Sequence, residues 1–202
     1  MTATDADVRR PGRPRSAEAD EAILDAAVEL FAEVGLDGLT VEGVAARAGV
    51  GKATIYRRYP STVELVMAAA FTICDEATVE PDTGSLHGDI TVALQNLRRL
   101  LEDPVFGAAK RMLIADALRN EELAEMHADL VRARRARHAA IFQRAMERGE
   151  LRPDVDIEFL NDAMSSPLFY RVIIMHRPVD DAYIEEVVRS FMAAYGVLQS
   201  TG

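Results

Sequence analysis

The chain has 202 residues, of which 49% are hydrophobic, and it carries a formal net charge of −10 at pH 7. A chain of this length and composition can bury a hydrophobic core without disulfides or metals. Its single cysteine, Cys74, excludes an intramolecular disulfide and indicates a reducing compartment. The N-terminus and the rest of the chain lack the apolar stretches of a signal peptide or membrane span. We therefore expect a cytoplasmic protein with no membrane partner.

The acidic excess argues at first against a nucleic-acid partner, because affinity for DNA depends on neutralising phosphates with lysine and arginine. The basic residues are, however, clustered. Residues 9–15 contain four arginines and no acid, and residues 43–63 carry four further basic residues without one Asp or Glu. Two basic segments therefore interrupt an acidic chain, whose remaining surface would stay away from phosphates.

Strong helix formers dominate the composition and predict an all-α chain. Residues 1–16 mix Pro, Gly, Asp and Arg without periodicity, which predicts a disordered basic arm. Apolar residues at helical spacing over residues 23–34 then predict a first helix that ends near Gly35. A short second helix, capped by Thr40, follows this first helix.

A third short helix is predicted from about Lys52 to Arg58, after a tight turn at Gly49. A capping box at residues 61–64 begins a fourth helix that extends to about Thr78. Residues 80–84 (Glu-Pro-Asp-Thr-Gly) end it and form the best internal boundary. Proline, glycine and asparagine then separate five further helices, predicted over residues 87–102, 105–119, 121–148, 156–176 and 181–198.

Residues 40–59 satisfy the steric requirements of a helix-turn-helix. Its two short helices need a small residue where they touch, here Ala45, and a glycine in the turn, here Gly49. The side chains that seat the second helix are Val50, Ile55 and Tyr59. The exposed side of that helix keeps donors suited to phosphates and base edges, namely Lys52, Thr54, Tyr56, Arg57 and Arg58. A helical hairpin in an ordinary bundle is the alternative, but a bundle does not require these features together.

The same residues resemble the N-terminal signature of the TetR/AcrR family of bacterial transcriptional regulators. That signature is an apolar first helix, a TV-x-x-VA-x-x-AGV segment, and T-I-Y-x-x-F/W before P-S. Here its parts are Ile23 to Phe31, Thr40 to Val50, and Thr54 to Ser61. The resemblance covers about residues 18–66. It implies a homodimer that places its recognition helices in successive major grooves of a near-palindromic, double-stranded DNA operator.

Carried over by position, the resemblance assigns Thr40 and Tyr56 to DNA phosphates. It places Lys52, Thr54 and Arg57 at or near base edges. The function implied is a DNA-binding transcriptional regulator, released from its operator by a small-molecule effector.

The resemblance also suggests a role for the basic arm, and the sequence departs from the family pattern at two positions. Arg13 and Arg15 would reach the minor groove or the backbone, unless the arm is only a solubilising tail. Tyr59 stands where Phe or Trp is commoner. Thr62 stands where many relatives have a phosphate-binding lysine, so we expect one charge contact fewer per subunit.

The resemblance divides the chain into a basic arm (1–16), a helix-turn-helix domain (17–63) and a helical ligand-binding and dimerisation domain (64–202), about nine helices in all. Apolar residues of the middle helices are candidates for an effector pocket, with plain core packing as the alternative for each. These candidates are Phe71, Leu94, Phe106, Met112, Met126 and Phe142.

The last two predicted helices carry more apolar surface than one core face requires, which favours a dimer interface. Pro167 lies inside the first of them, where it costs a backbone hydrogen bond and favours a kink. We expect residues 156–176 and 181–198 of both chains to form a four-helix interface. The contact residues predicted are Leu168, Phe169, Val172, Ile184, Val188 and Phe191.

The remaining polar residues suggest no catalysis. Residues 132–138 form an arginine-rich run that is open to interpretation as a second nucleic-acid patch or an anion site, but the arginines spread around the helix and favour a solvated face paired with acids. The histidines lack metal-ligand spacing, and no nucleophile has a recognisable base, so we predict no metal, cofactor or enzymatic activity.

The alternatives to a ligand-released repressor are a ligand-independent activator or architectural DNA-binding protein, and a helical small-molecule-binding protein or enzyme with a relic helix-turn-helix.

Overall fold

The computed structural model describes residues 15–76 and 80–197, and the side chains of residues 17–72 and 80–197. Residues 1–14 of the predicted basic arm and the side chain of Cys74 lie outside this description, whereas the last two residues of that arm, Arg15 and Ser16, already form the start of the first helix. The all-α class is confirmed: the described residues form nine α-helices and one π-helical turn. The helices are α1 (Arg15–Gly38), α2 (Val41–Ala48), α3 (Lys52–Tyr56), α4 (Thr62–Glu76), α5 (Leu86–Glu102), α6 (Pro104–Ala117), α7 (Glu121–Glu147), α8 (Ile157–Phe169) and α9 (Asp181–Tyr195), with the π-turn at Tyr170–Ile174.

Helix α1 changes direction at the glycine that was predicted to end it. Gly35 leaves the helical conformation with φ +68° and ψ −173°, and one more turn follows to Gly38. The N–H of Leu36, freed by this break, donates to Asp116 Oδ2 of α6 at 2.8 Å. The end of α1 is therefore fixed by a carboxylate that lies 80 residues further along the chain.

The turn between α2 and α3 has the geometry that the helix-turn-helix interpretation requires. Thr40 caps α2, and its Oγ1 accepts the Gly43 N–H at 3.1 Å. Gly49 ends α2 in the left-handed region, with φ +66° and ψ 31°, and its N–H donates to the Ala45 carbonyl. Ala45 itself is buried and shares a core cluster with Ile55 of α3. The small contact and the glycine turn are thus confirmed.

Replacing Gly49 by Ala is expected to destabilise the protein by about 1 to 2 kcal/mol, because a Cβ disfavours the left-handed conformation. Gly51→Ala is the matched control. A Cβ at either glycine would have no neighbouring atom within 4 Å, but Gly51 has φ −78°. At Gly51 the substitution weakens the N-cap of α3, but it also makes the unfolded chain less flexible. These two effects on the free energy of unfolding roughly cancel. Urea unfolding of both variants tests this, and equal stabilities would contradict it.

The core divides into two clusters that do not follow the predicted domain boundary. Helices α1 to α4 share one cluster with α6 and the first half of α7, through side chains such as Val66, Leu113 and Leu130. The second cluster joins α5, the second half of α7, α8 and α9. The helix-turn-helix is therefore packed directly against helices that belong to the predicted ligand-binding region.

Pro167 lies inside α8, and the helix continues past it. The α-helix ends at Phe169 and continues as the π-turn, in which Met175 N–H donates to the Tyr170 carbonyl at 2.9 Å. Such i to i−5 bonds widen the helix locally. The predicted helix over 156–176 is therefore an α-helix followed by a π-helical turn.

Most of the residues predicted at the dimer interface lie inside the subunit instead. Leu168, Val172, Ile184, Val188 and Phe191 are all buried in the second core cluster of the chain itself. Phe169 is half-buried and lies beneath the side chains of Lys110 and Arg134. The predicted contact residues are therefore wrong for the five buried positions, because their surface is already used within one chain.

The predicted pocket residues do not share one cavity. Phe71 and Met126 both line a groove of about 560 Å³ between α4 and α7. Phe106 instead borders a cavity of about 550 Å³ between α1, α5 and α6.

The other three pocket candidates are packed in the core clusters. Met112 packs against the first cluster. Leu94 and Phe142 are fully buried in the second, where the rings of Phe142 and Phe191 stack with centroids 5.9 Å apart. The expectation of a single pocket lined by all six residues is wrong.

None of the helices in the two described ranges has the length and apolarity needed to cross a bilayer.

Candidate DNA-binding interface

Helix α3 is seated by one buried side chain and exposes polar groups around it. Ile55 is 0% exposed and belongs to the first core cluster. Lys52 and Arg57 are exposed, Thr54 is half-buried, and Tyr56 keeps 52% of its surface in solvent. These four residues can donate hydrogen bonds to phosphates or base edges. The structure thus places four of the five predicted α3 donors on the accessible surface.

The end of α3 is held by a hydrogen bond to the start of α1. Tyr59 packs against the first core cluster, and its hydroxyl donates to Asp20 Oδ1 at 3.0 Å. Burial, reinforced by the bond to the Asp20 carboxylate, raises the pKa of Tyr59 to about 12. The phenol therefore keeps its proton and its role as donor at neutral pH. Val50 also packs against this cluster, so the three predicted seating residues are confirmed.

Arg58 does not join the exposed donors. Its side chain is half-buried, and its Nε lies 3.5 Å from the same Asp20 oxygen that Tyr59 contacts. The guanidinium therefore fastens the end of α3 to α1, and the prediction that it faces DNA is wrong. Asp20 of α1, which no sequence pattern links to α3, organises both contacts.

The α3 surface is also less free of acids than its sequence indicates. Lys52 Nζ lies 2.6 Å from Glu42 Oε1 of α2, one position before the acid-free segment begins. The hydrogen bond that Lys52 donates to Glu42 raises the pKa of Lys52 and lowers that of Glu42. Both side chains are more than half exposed. Exposed pairs of this kind contribute little to stability, so a phosphate can replace the carboxylate at low cost.

Two other positions near α3, one basic and one polar, have different surroundings. Arg47 donates to both oxygens of Glu33 on α1, at 2.9 and 2.8 Å, and so braces α2 against α1. Thr40 is exposed at the start of α2, where its hydroxyl proton and the positive end of the helix suit a phosphate. The side chains of Arg13 and Arg15 lie outside the described residues.

Two short helices joined by a left-handed glycine, with donors exposed on the second, define a helix-turn-helix DNA-binding protein. Family comparisons agree with this class. Residues 23–69 match the family described as bacterial regulatory proteins, tetR family, and residues 80–191 match the tetracyclin repressor-like C-terminal domain.

Individual relatives extend the match over nearly the whole chain. The HTH-type transcriptional regulator YdeS of Bacillus subtilis (strain 168) is 33% identical over 190 residues, which cover 94% of both chains. The DNA-binding transcriptional repressor TetR of Mycobacteroides abscessus is 32% identical over 186 residues, 88% of this chain and 91% of that one. The crystal structure of the TetR family transcription regulator SCO0332 superposes with a TM-score of 0.72 at 31% identity, covering 87% and 97% of the two chains.

The chain therefore belongs to the TetR family of bacterial transcriptional regulators. It is a helix-turn-helix transcriptional regulator, and its relatives and structural neighbours are transcriptional regulators and not enzymes, one of them named a DNA-binding repressor.

Lys52→Ala and Tyr56→Phe are each expected to weaken DNA binding roughly tenfold, because each removes one donor from the exposed side of α3. Neither should move the melting temperature by more than about 2 °C, since both side chains lie on the surface. Arg132→Ala, which removes an exposed cation on α7, is the control for a general loss of charge. Fluorescence anisotropy with a labelled duplex gives the affinities. Wild-type affinity in both variants would contradict the assignment of this surface to DNA binding.

Glu42→Gln is expected to raise DNA affinity several-fold, because it removes the carboxylate that competes with phosphate for Lys52 and one negative charge near the DNA. The double variant with Lys52→Ala provides the test. If Glu42 acts through Lys52, the substitution gains less affinity in the Lys52→Ala background than in the wild type. An equal gain in both backgrounds would show that the pair is irrelevant to binding.

Proposed function

We propose that the protein is a repressor in the cytoplasm, binds a near-palindromic operator as a homodimer, and leaves that operator when a small molecule binds. The observation that carries this proposal is the exposed α3 surface seated on Ile55. A single five-residue helix offers too few contacts for tight binding. Two copies at a fixed separation of about 34 to 36 Å would supply the missing affinity.

The outer face of α8 supports the homodimer. Phe159, Tyr170 and Ile174 are 55%, 59% and 62% exposed, and their spacing places them on one face of α8 and the π-turn, with the exposed polar residues Asp162 and Ser166 between the first two. Three large apolar side chains exposed on one face are a candidate interaction surface. A two-fold axis beside α8 would bury this face against its own copy. We therefore assign the interface to these outward residues instead of the buried ones predicted from the sequence.

Helix α6 offers a route from an effector to the DNA. The buried carboxylate of Asp116 on α6 accepts the Leu36 N–H at the end of α1 and an Arg119 Nη2 proton at 2.6 Å. Because α1 carries the helix-turn-helix, a shift of α6 would change the separation of the two recognition helices. Helix α4 shares the same core cluster and would move with α1 and α6. A coupling of about 1 to 3 kcal/mol changes operator affinity roughly 5- to 150-fold.

A footprint on the DNA upstream of the protein's own gene tests the proposal. We expect two protected half-sites whose centres lie about one helical turn apart, or a whole multiple of it. Inserting five base pairs between them should abolish tight binding, whereas inserting ten should restore part of it. A single protected half-site with no dependence on spacing would contradict dimeric recognition.

The Phe159→Glu variant separates dimerisation from DNA contact. It is expected to sediment as a monomer and to bind the operator weakly, because a charge replaces an apolar residue at the proposed interface. Ser166→Ala, an exposed change on the same helix, should remain dimeric. Monomeric wild-type protein at micromolar concentration would overturn the homodimer.

A further inference from the structure

A groove of about 550 Å³ lies between α1, α5 and the start of α6. The part of its lining that α1 supplies is acidic, with Asp25 and Glu29 one helical turn apart. The part that α5 supplies contains Arg99 and, one turn earlier, the amide of Asn96. A volume of this size is typical of sites for small molecules. The groove therefore presents opposite charges on two different helices.

Apolar side chains complete the lining of this groove. They are Val28 of α1, Leu100 of α5, and Val105 and Phe106 of α6. Val105 keeps 39% of its surface in solvent, although it is a β-branched apolar residue. A ligand with an apolar body would cover this surface, and its burial would stabilise the complex. The lining therefore favours a ligand that is partly apolar over a small inorganic ion.

The charged groups of the lining differ in how far the protein itself satisfies them. Glu29 Oε2 lies 3.8 Å from Arg47 Nη1. Asp103 Oδ1 accepts two N–H groups at the start of α6, at 3.0 and 2.7 Å, and the positive end of that helix offsets its charge. In the described part of the chain, no ion pair or hydrogen bond involves the side chain of Asp25 or Arg99. One carboxylate and one guanidinium thus remain available in the same groove.

We propose that this groove binds a zwitterion with an apolar body, of the kind formed by a peptide of two apolar amino acids. The ammonium group of the ligand would donate to Asp25, and its carboxylate would accept from Arg99. Its side chains would cover Leu100 and Val105. A simple cation would leave Arg99 without a partner, and a simple anion would do the same to Asp25. This inference rests on the proposed function, because it names the chemical class of the effector.

The position of the groove gives such a ligand a way to act on DNA binding. Helix α1 belongs to the first core cluster, which contains the helix-turn-helix, and α5 belongs to the second, which contains α8. A ligand held by Asp25 and Arg99 would therefore bind to both clusters and change their relative orientation. In the proposed dimer that orientation sets the separation of the two α3 helices. The lining shares no residue with α3 or with the outer face of α8.

Isothermal titration calorimetry with phenylalanyl-leucine as the probe tests the site on the full-length protein. We expect one dipeptide to bind per subunit. The N-acetylated dipeptide lacks the ammonium charge, and the dipeptide amide lacks the carboxylate. Each analogue should bind at least about fivefold more weakly than the dipeptide, because each loses one charge-assisted hydrogen bond.

The variants Asp25→Asn and Arg99→Gln assign the two ends of the ligand. Asp25→Asn should weaken dipeptide binding about fivefold but hardly change binding of the N-acetylated form. Arg99→Gln should weaken the dipeptide to a similar degree but hardly change the amide. Both side chains are exposed, so neither substitution disturbs the core. Asp37→Asn and Arg132→Gln remove exposed charges outside the groove and should stay within about twofold of the wild type.

Several outcomes would overturn the proposal. Equal binding of the dipeptide and both analogues would show that the charges of the groove do not select the ligand. Tighter binding of the amide than of the dipeptide would show that the groove selects a cation instead of a zwitterion. If Asp25→Asn weakens the N-acetylated form as much as the dipeptide, Asp25 does not contact the ammonium group. Absence of dipeptide binding to the wild type also overturns the site.

Fluorescence anisotropy of a labelled operator, with and without the dipeptide, separates this inference from the proposed function. Operator binding that the dipeptide weakens supports both. Operator binding by a protein that does not bind the dipeptide overturns the zwitterion site and leaves the repressor intact. Charge-dependent dipeptide binding that leaves operator affinity unchanged overturns the effector role, and failure to bind any duplex overturns the proposed function itself.

Discussion

Ile55→Ala is expected to abolish specific DNA binding and to lower the free energy of unfolding by about 2 to 5 kcal/mol. Ile55 is the one fully buried side chain of the five-residue helix α3. A helix this short does not persist by itself in water, so its position depends on packing. Removing the side chain leaves a cavity beneath the surface that carries Lys52, Tyr56 and Arg57.

The conservative variant Ile55→Val is the matched comparison. It removes one methylene and should cost only about 0.5 to 1.5 kcal/mol, with DNA binding retained. Guanidinium unfolding followed by circular dichroism gives the stabilities, and anisotropy with labelled duplex gives the affinities. Wild-type DNA affinity in Ile55→Ala would show that α3 is held by contacts other than this side chain.

Phe142→Ala is expected to cost about 3 to 5 kcal/mol of unfolding free energy, because the ring is fully buried and stacks on Phe191. Phe71→Ala should stay within about 0.5 kcal/mol, since Phe71 is 47% exposed on α4. Both residues are candidates for one pocket on sequence grounds, and denaturant unfolding of the two variants distinguishes their surroundings. Similar small losses would mean that Phe142 borders open space instead of solid core.

The parts of the fold that the sequence predicts well depend on local steric rules. Gly49 has the left-handed conformation expected of it, and Ala45, Ile55 and Tyr59 have the packing roles expected of them. Helix boundaries after residue 80 lie within a few residues of the predicted ones, because Pro104, Asn120 and similar residues stop or cap helices wherever they occur.

The parts that it predicts poorly depend on which distant residues meet. Arg58 turns away from the DNA side because Asp20, 38 positions earlier, lies beside it. Lys52 contacts Glu42 across the turn, although residues 43–63, which surround Lys52 in the sequence, contain no acid. A stretch without acids predicts a positive surface only when the neighbouring helices also lack acids.

The same limit applies to the apolar residues of the C-terminal half. Helix α8 and the π-turn are apolar on most sides, so their periodicity could not decide whether Val172 or Tyr170 faces the core. The structure buries Val172 and exposes Tyr170. Likewise, the positions of Phe142 and Phe71 in a helical pattern show that each is apolar, but only the packing of other helices shows which one is buried.

The slope of DNA affinity against salt concentration tests most directly whether the α3 surface contacts phosphates. Log affinity should fall linearly with log salt for the wild type, and Lys52→Ala should reduce the slope by about one per subunit, while Arg132→Ala leaves it unchanged. Failure of the purified protein to bind duplex DNA at low salt, or an identical slope in wild type and Lys52→Ala, would contradict the account.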